Sequence, residues 1–273
     1  MNYTVTIFLL TIGLFVGMLI CLEIGRRIGI RRMKEESGSG GEGIGAVNGA
    51  VFALLGLLIA FTFSGASTRF DARRQLIVEE TNNIGTAYLR LDLLPVDLQP
   101  ALRESFRRYL DARIEVYRNP SDAPTVKEPL SKKSLAKVNE LQMQIWRQAV
   151  AASRAEGASP AASVLLLPAL NAMIDITTTR TMATQVHPPA VVFVMLFALA
   201  LAASLLAGYG MTGGKINSLF HMLDFALVMA VAVYVILDIE YPRLGLIRVD
   251  ALDQALVDLR ESMNRDIPAP APK

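Results

Sequence analysis

Four stretches of the chain stay apolar for close to the length needed to cross a bilayer. They run from about Val5 to Leu22, from Ile44 to about Phe63, from Ala190 to Ala207, and from about Phe220 to Leu237. Roughly 20 helical residues, rising about 1.5 Å each, cross ~30 Å of hydrocarbon. Spanning strands would alternate polar and apolar positions, and these blocks do not, so helices are expected. The first block follows MNYT, which has no Lys or Arg, and no A-x-A pattern succeeds it. It reads as a retained span and not as a cleaved signal. Gly13 and Gly17 within it form a G-x-x-x-G pair suited to close helix approach.

Between the second and third spans the period is helical throughout. Helix propensity continues from the second span to Leu94, where Pro95 ends it. Leu98, Leu102, Phe106, Tyr109, Leu110, Ile114 and Tyr117 recur at three-to-four spacing, predicting an amphipathic helix from about Asp97 to Arg118. NPSDAPTVKEP reads as a loop. Leu135, Val138, Leu141, Ile145 and Val150 mark another helix, GASP breaks it, and a further one starts near Ala161. Leu252, Leu256, Leu259 and Met263 predict a last short helix before a disordered IPAPAPK tail.

The expected fold is an all-α integral membrane protein, with four transmembrane helices and a helical extramembrane domain between the second and third spans. The boundaries are 1–64 for the first two spans and their basic loop, and 65–187 for the helical domain. Residues 188–238 hold the last two spans, and 239–273 the terminal helix and tail. Four spans put 65–187 and both termini on one side, and the loops 23–43 and 208–219 on the other.

Composition agrees with a multi-pass protein of the cell membrane. Hydrophobic residues make up 52% and charged ones 19%, an apolar excess gathered in the four blocks. A net charge of +2 gives no reason to expect a nucleic-acid partner. The single cysteine, Cys21, excludes an intrachain disulfide and a cysteine-rich metal site. No nucleophile–base pairing or phosphate-cradling loop is evident, so neither an enzyme, a cofactor nor a metal is expected.

The second span carries the most information. Gly45, Gly49, Ala53, Gly56 and Ala60 form a small-residue stripe on one side. About a quarter turn away lie Asn48, Phe52, Leu55, Ile59 and Phe63, with Thr62 nearby. Several copies around an axis would stack this second stripe into apolar rings, and such constrictions gate by dewetting. The same side chains could instead face lipid or other spans of the same chain. Arg69, Arg73 and Arg74 follow and would lend a positive field at a pore mouth. Glu79, Glu80, Asn171, Asp175 and Arg180 form a candidate polar cluster, either lining a vestibule or joining helices by salt bridges. Asp238, Glu240 and Arg243 close the fourth span, where Arg243 could pair with either acid.

The segments LEIGRRIG, FTFSGASTRFDARRQLIVEETNNIGTAYLRLDLLP, LPALNAMIDITTTR and LDIEYPRLGLIRVD, in this order, resemble the bacterial bestrophin-like family, membrane proteins of largely unassigned function. More distantly, the resemblance reaches the bestrophin anion channels, pentamers whose second membrane helix lines an apolar neck with isoleucine and phenylalanine. Ile59 and Phe63 look like such a neck. The acidic calcium clasp of animal bestrophins has no counterpart here. The resemblance implies a pentamer, ion conduction and a cytosolic helical domain. Arg26, Arg27, Arg31, Arg32 and Lys34 in the first loop pull the other way, toward that loop being cytoplasmic.

The expected function is a homo-oligomeric channel for small ions, favouring anions. The alternative is a membrane-anchored interaction or sensor protein without a conducting pore.

Overall fold

The computed structural model describes residues 3–35, 42–118, 129–211, 218–242 and 245–265. These are helical almost throughout, with no strand among the described residues. The helices are α1 (Tyr3–Glu35), α2 (Glu42–Leu89), α3 (Gln99–Arg118), α4 (Pro129–Ala152), α5 (Ala162–Gln185), α6 (Ala190–Gly210), α7 (Ser218–Glu240) and α8 (Asp250–Arg265). A 3-10 turn, Arg90–Leu93, closes α2 ahead of Pro95. Four helical stretches are long and apolar enough to cross a membrane. The loop expected at 119–129 falls almost wholly outside the described residues, as do Arg243 and the IPAPAPK tail.

The chain divides into two compact units. Residues 1–70 and 187–247 form the first, built from α1, the N-terminal part of α2, α6 and α7. Its core joins Leu14, Met18 and Leu22 of α1 to Leu196, Ala200 and Ala203 of α6 and to Ala226, Ala230 and Val233 of α7. Glycine makes the closest approach possible. A Cβ on Gly25 would run into the Leu205 carbonyl oxygen, and one on Gly208 into that of Leu22. Of the G-x-x-x-G pair, Gly17 faces Leu201 while Gly13 meets nothing within 4 Å. The contact therefore runs through Gly17, Gly25 and Gly208.

The expected loop at 23–43 is helical as far as Glu35. Nothing in EIGRRIGIRRMKE breaks a helix as proline would, and its arginines favour continuation.

Residues 71–186 and 248–273 form the second unit, with α3, α4, α5 and α8 packed around the C-terminal part of α2. Phe106, Tyr109 and Leu110 of α3 meet Leu141 and Ile145 of α4, Leu166 and Leu170 of α5, and Ile84 and Tyr88 of α2. The terminal helix belongs to this core, because Leu256 and Met263 are buried in it. Gly157, at φ +83°, takes the left-handed conformation in the turn between α4 and α5 that an L side chain would strain.

Candidate functional site

Along the membrane half of α2, one arc faces the core of its own unit. Leu55 is only 3% exposed. Phe52 packs edge-to-face on Phe225 of α7, with ring centroids 6.3 Å apart, and Ile59 is half-buried against the same cluster. The Thr62 hydroxyl donates to the carbonyls of Leu58 at 2.8 Å and Ile59 at 3.0 Å, inside its own helix. The stripe read as pore-lining is thus split. Leu55 is a packing residue, because a side chain covered by its own chain cannot reach an axis. Phe52 likewise leans on α7. Phe63 is 45% exposed, Asn48 half-buried, and Ile59 sits one turn before Phe63, between Leu55 and Phe52 in the covered arc. Beside this arc Gly45, Gly49 and Gly56 look into open space.

The three arginines expected at a pore mouth have different fates. Arg69 closes on Glu240, with Nη2 2.6 Å and Nε 3.0 Å from the carboxylate. Glu240 is fully buried and also contacts His187 Nδ1 at 3.0 Å. The His187 ring stacks on Tyr241 at 4.3 Å. Arg69 is therefore paired within its unit, and its outward field is largely cancelled. Arg73 is buried, and donates to the carbonyls of Ala183 at 3.1 Å and Val186 at 3.0 Å. It satisfies orphan acceptors at the C-terminus of α5, where a cation is favoured. Arg74 is exposed, with Asp71 at 3.3 Å. The expectation of a shared positive mouth is corrected accordingly for Arg69 and Arg73.

Asp238 closes the fourth span from within its own unit. The buried Asp238 carboxylate accepts the backbone N–H groups of Leu246 at 2.9 Å and Ile247 at 2.7 Å. Gly245 is required there, because a Cβ would strike Asp238.

Of the candidate polar cluster, the fold brings together Glu80 and Arg180, while Glu79, Asn171 and Asp175 are exposed. Glu80 is fully buried in the second unit. It accepts from Arg113 Nε at 2.6 Å, from the Tyr117 hydroxyl at 2.8 Å, and from Arg180. The Arg180 guanidinium lies over the Tyr117 ring at 3.9 Å, and Asp253 of α8 stands 3.6 Å from its other nitrogen. Gln142 continues the network toward the Tyr109 and Thr177 hydroxyls. Burial alone would push the Glu80 carboxyl up, but Arg113 and Arg180 reverse this and hold it below the ordinary range. Burial pushes the Tyr117 hydroxyl up, and the Glu80 charge adds to the effect. The arrangement is a neutralised, hydrogen-bonded strut joining α2, α3 and α5.

Arg113 and Tyr117 were missing from the sequence reading as partners, although a signal existed. Arg113 follows Tyr109 by four residues and so falls on the apolar face of α3. A cation on such a face needs a buried counter-ion. Nothing comparable announced His187 and Glu240, which are 53 residues apart.

The family profile described as Bestrophin-like domain matches residues 8–252. None of the curated proteins matches the chain. Among solved structures, one variant of a bacterial bestrophin homologue from Klebsiella pneumoniae superposes with a TM-score of 0.68 at 13% identity, covering 92% of this chain and 98% of that one. A second variant from the same organism gives 0.64 at 13% identity, covering 89% and 98%. At such identity the likeness concerns the fold.

Proposed function

The chain belongs to the bestrophin-like family, and from that premise we propose that it is a homo-oligomeric channel of the cell membrane. In this reading copies of α2 surround an axis and small ions, anions by family resemblance, pass between them. Phe63 and Ile59 form the narrow apolar neck, with Asn48 further along the helix toward its Leu55 side. A pentamer is the assembly the resemblance suggests.

The observation that carries this reading is the uneven cover of α2. Its Leu55 side is packed by its own unit, whereas Phe63 and the open glycines beside it are left exposed. An apolar ring side chain next to small residues suits close approach of neighbouring helices around a constriction. Anion preference rests on the resemblance alone, since Arg69, Arg73 and Arg74 are each engaged with other groups.

Chloride flux into liposomes tests the proposal, with the mass of the purified complex giving the number of copies. Flux is expected from the wild type, and Phe63→Ala and Ile59→Ala should raise it by widening the neck and easing its wetting. A monomer without flux would favour the membrane-anchored interaction protein instead.

A further inference from the structure

The helical extension of α1 beyond the membrane block carries a surface that the channel reading does not use. Residues 23–35 contain Arg26, Arg27, Arg31, Arg32 and Lys34 against Glu23 and Glu35. The side of this helix facing away from its unit is mixed in a specific way. Ile20, Ile24 and Ile28 are exposed at four-residue spacing. Arg27 and Arg31 lie among them on the same face, and both are exposed.

Position along the helix fixes what this face meets. The apolar block ends near Leu22, so at about 1.5 Å per residue Arg27 stands ~8 Å and Arg31 ~14 Å beyond it. The headgroup layer is roughly 5–8 Å thick on each side of the hydrocarbon. Helical side chains slant toward the N-terminus, which here is toward the bilayer, so the long Arg31 side chain reaches back into that layer. Ile20 and Ile24 continue the acyl-facing surface, while Ile28 and the guanidiniums stand at headgroup level.

The Arg27 orientation is held. Glu23 accepts from Arg27 Nε at 2.8 Å and, on its other side, from Arg26 Nε at 2.8 Å and Nη2 at 3.0 Å. Arg27 pairs through Nε, and its side chain remains 71% exposed. Two exposed guanidiniums one turn apart, over an isoleucine stripe, match a phosphodiester above an acyl chain.

We propose that this face of α1 binds phospholipids of net negative headgroup charge, with the phosphate held by Arg27 and Arg31 and the chains lying on Ile20 and Ile24. Basic residues at a membrane surface favour anionic lipid by roughly five-fold each.

The test uses the full-length protein in vesicles of phosphatidylcholine doped with spin-labelled phosphatidylglycerol or spin-labelled phosphatidylcholine. The motionally restricted fraction of each label gives the lipid preference. The wild type should prefer phosphatidylglycerol, Arg27→Gln/Arg31→Gln should lose roughly ten-fold or more of that preference, and Arg27→Lys/Arg31→Lys should keep most of it. Glu23 retains Arg26 as a partner in both variants, so helix content by circular dichroism should be unchanged. In the wild type alone, raising salt from about 0.1 M to about 1 M should erase the preference. An equal preference in the glutamine variant, or one indifferent to salt, overturns the proposal. Displacement of the label by millimolar inorganic phosphate also overturns it, because the site would then be a free-anion site.

Discussion

Among residues 45–70 of α2 only Leu55 and Ala66 are buried, whereas Leu54, Leu57, Phe61 and Phe63 are exposed. From residue 71 to 89 the same helix buries Arg73, Ile77, Glu80, Ile84, Ala87 and Tyr88. The first half would be untenable in water, where each exposed large apolar side chain forgoes roughly 1.5–3 kcal/mol of burial. In lipid or against another copy it forgoes little. The second half buries one helical face in its unit, with one polar strut at its centre, and leaves only Val78 and Leu89 exposed among its large apolar side chains. One continuous helix thus carries two burial patterns, and the side chains that the first half leaves uncovered are the ones the channel proposal assigns to assembly and conduction.

The largest effect that would test this contrast lies in the second half. Glu80→Ala leaves the buried Arg113 guanidinium without its counter-ion and Arg180 with Asp253 alone, and should cost about 3–5 kcal/mol. A thermal melt of the purified protein followed at Trp146, the sole tryptophan, reads it. A melt unchanged by the substitution would break the strut.

In the first unit, Gly208→Val should cost about 1–3 kcal/mol or more by forcing α6 off α1 at the Leu22 carbonyl. Loss of folded material on size-exclusion chromatography would show it. Gly13→Val should be silent within a single copy, because nothing lies beside it.

Leu55→Ala and Leu54→Ala sharpen the comparison further. Lipid is as apolar as leucine, so at Leu55 only the packing defect counts, about 1–2 kcal/mol. At the exposed Leu54 the cost should stay below about 0.5 kcal/mol. Equal costs would mean that α2 is turned differently about its axis.

The smallest effect is with pH. Glu80 is held below its ordinary value of 4.5, so the unfolded chain takes up the proton more readily than the folded one. Its contribution is fully present above that value and is lost as pH falls through the acidic range below it. Melting temperature should fall with acidification in the wild type, and the part due to Glu80 should vanish in Glu80→Gln.

The four spans and most of the helices were legible because apolar length and three-to-four spacing report burial directly. The helical course of 23–35 is harder to see, because its charge resembles that of a connecting loop although it holds no proline. The pore stripe was half legible. Spacing places Leu55 and Phe63 in one broad apolar band, but only packing of α7 against Phe52 shows which edge of that band is covered. Arg69 illustrates a harder limit, because a cation beside a membrane looks like a surface charge until its partner, 171 residues away, is folded onto it.

The central claim is that the uncovered edge of α2 at Phe63, and not its buried or lipid-facing sides, lines a conducting path. Cysteine substitution in a Cys21→Ser background, followed by a charged thiol reagent during flux measurement, tests it most directly. Phe63→Cys should conduct and then be blocked by the reagent, while Leu55→Cys and Leu57→Cys conduct and remain unaffected. A freely conducting, unblocked Phe63→Cys, or block at Leu57→Cys instead, would contradict the account.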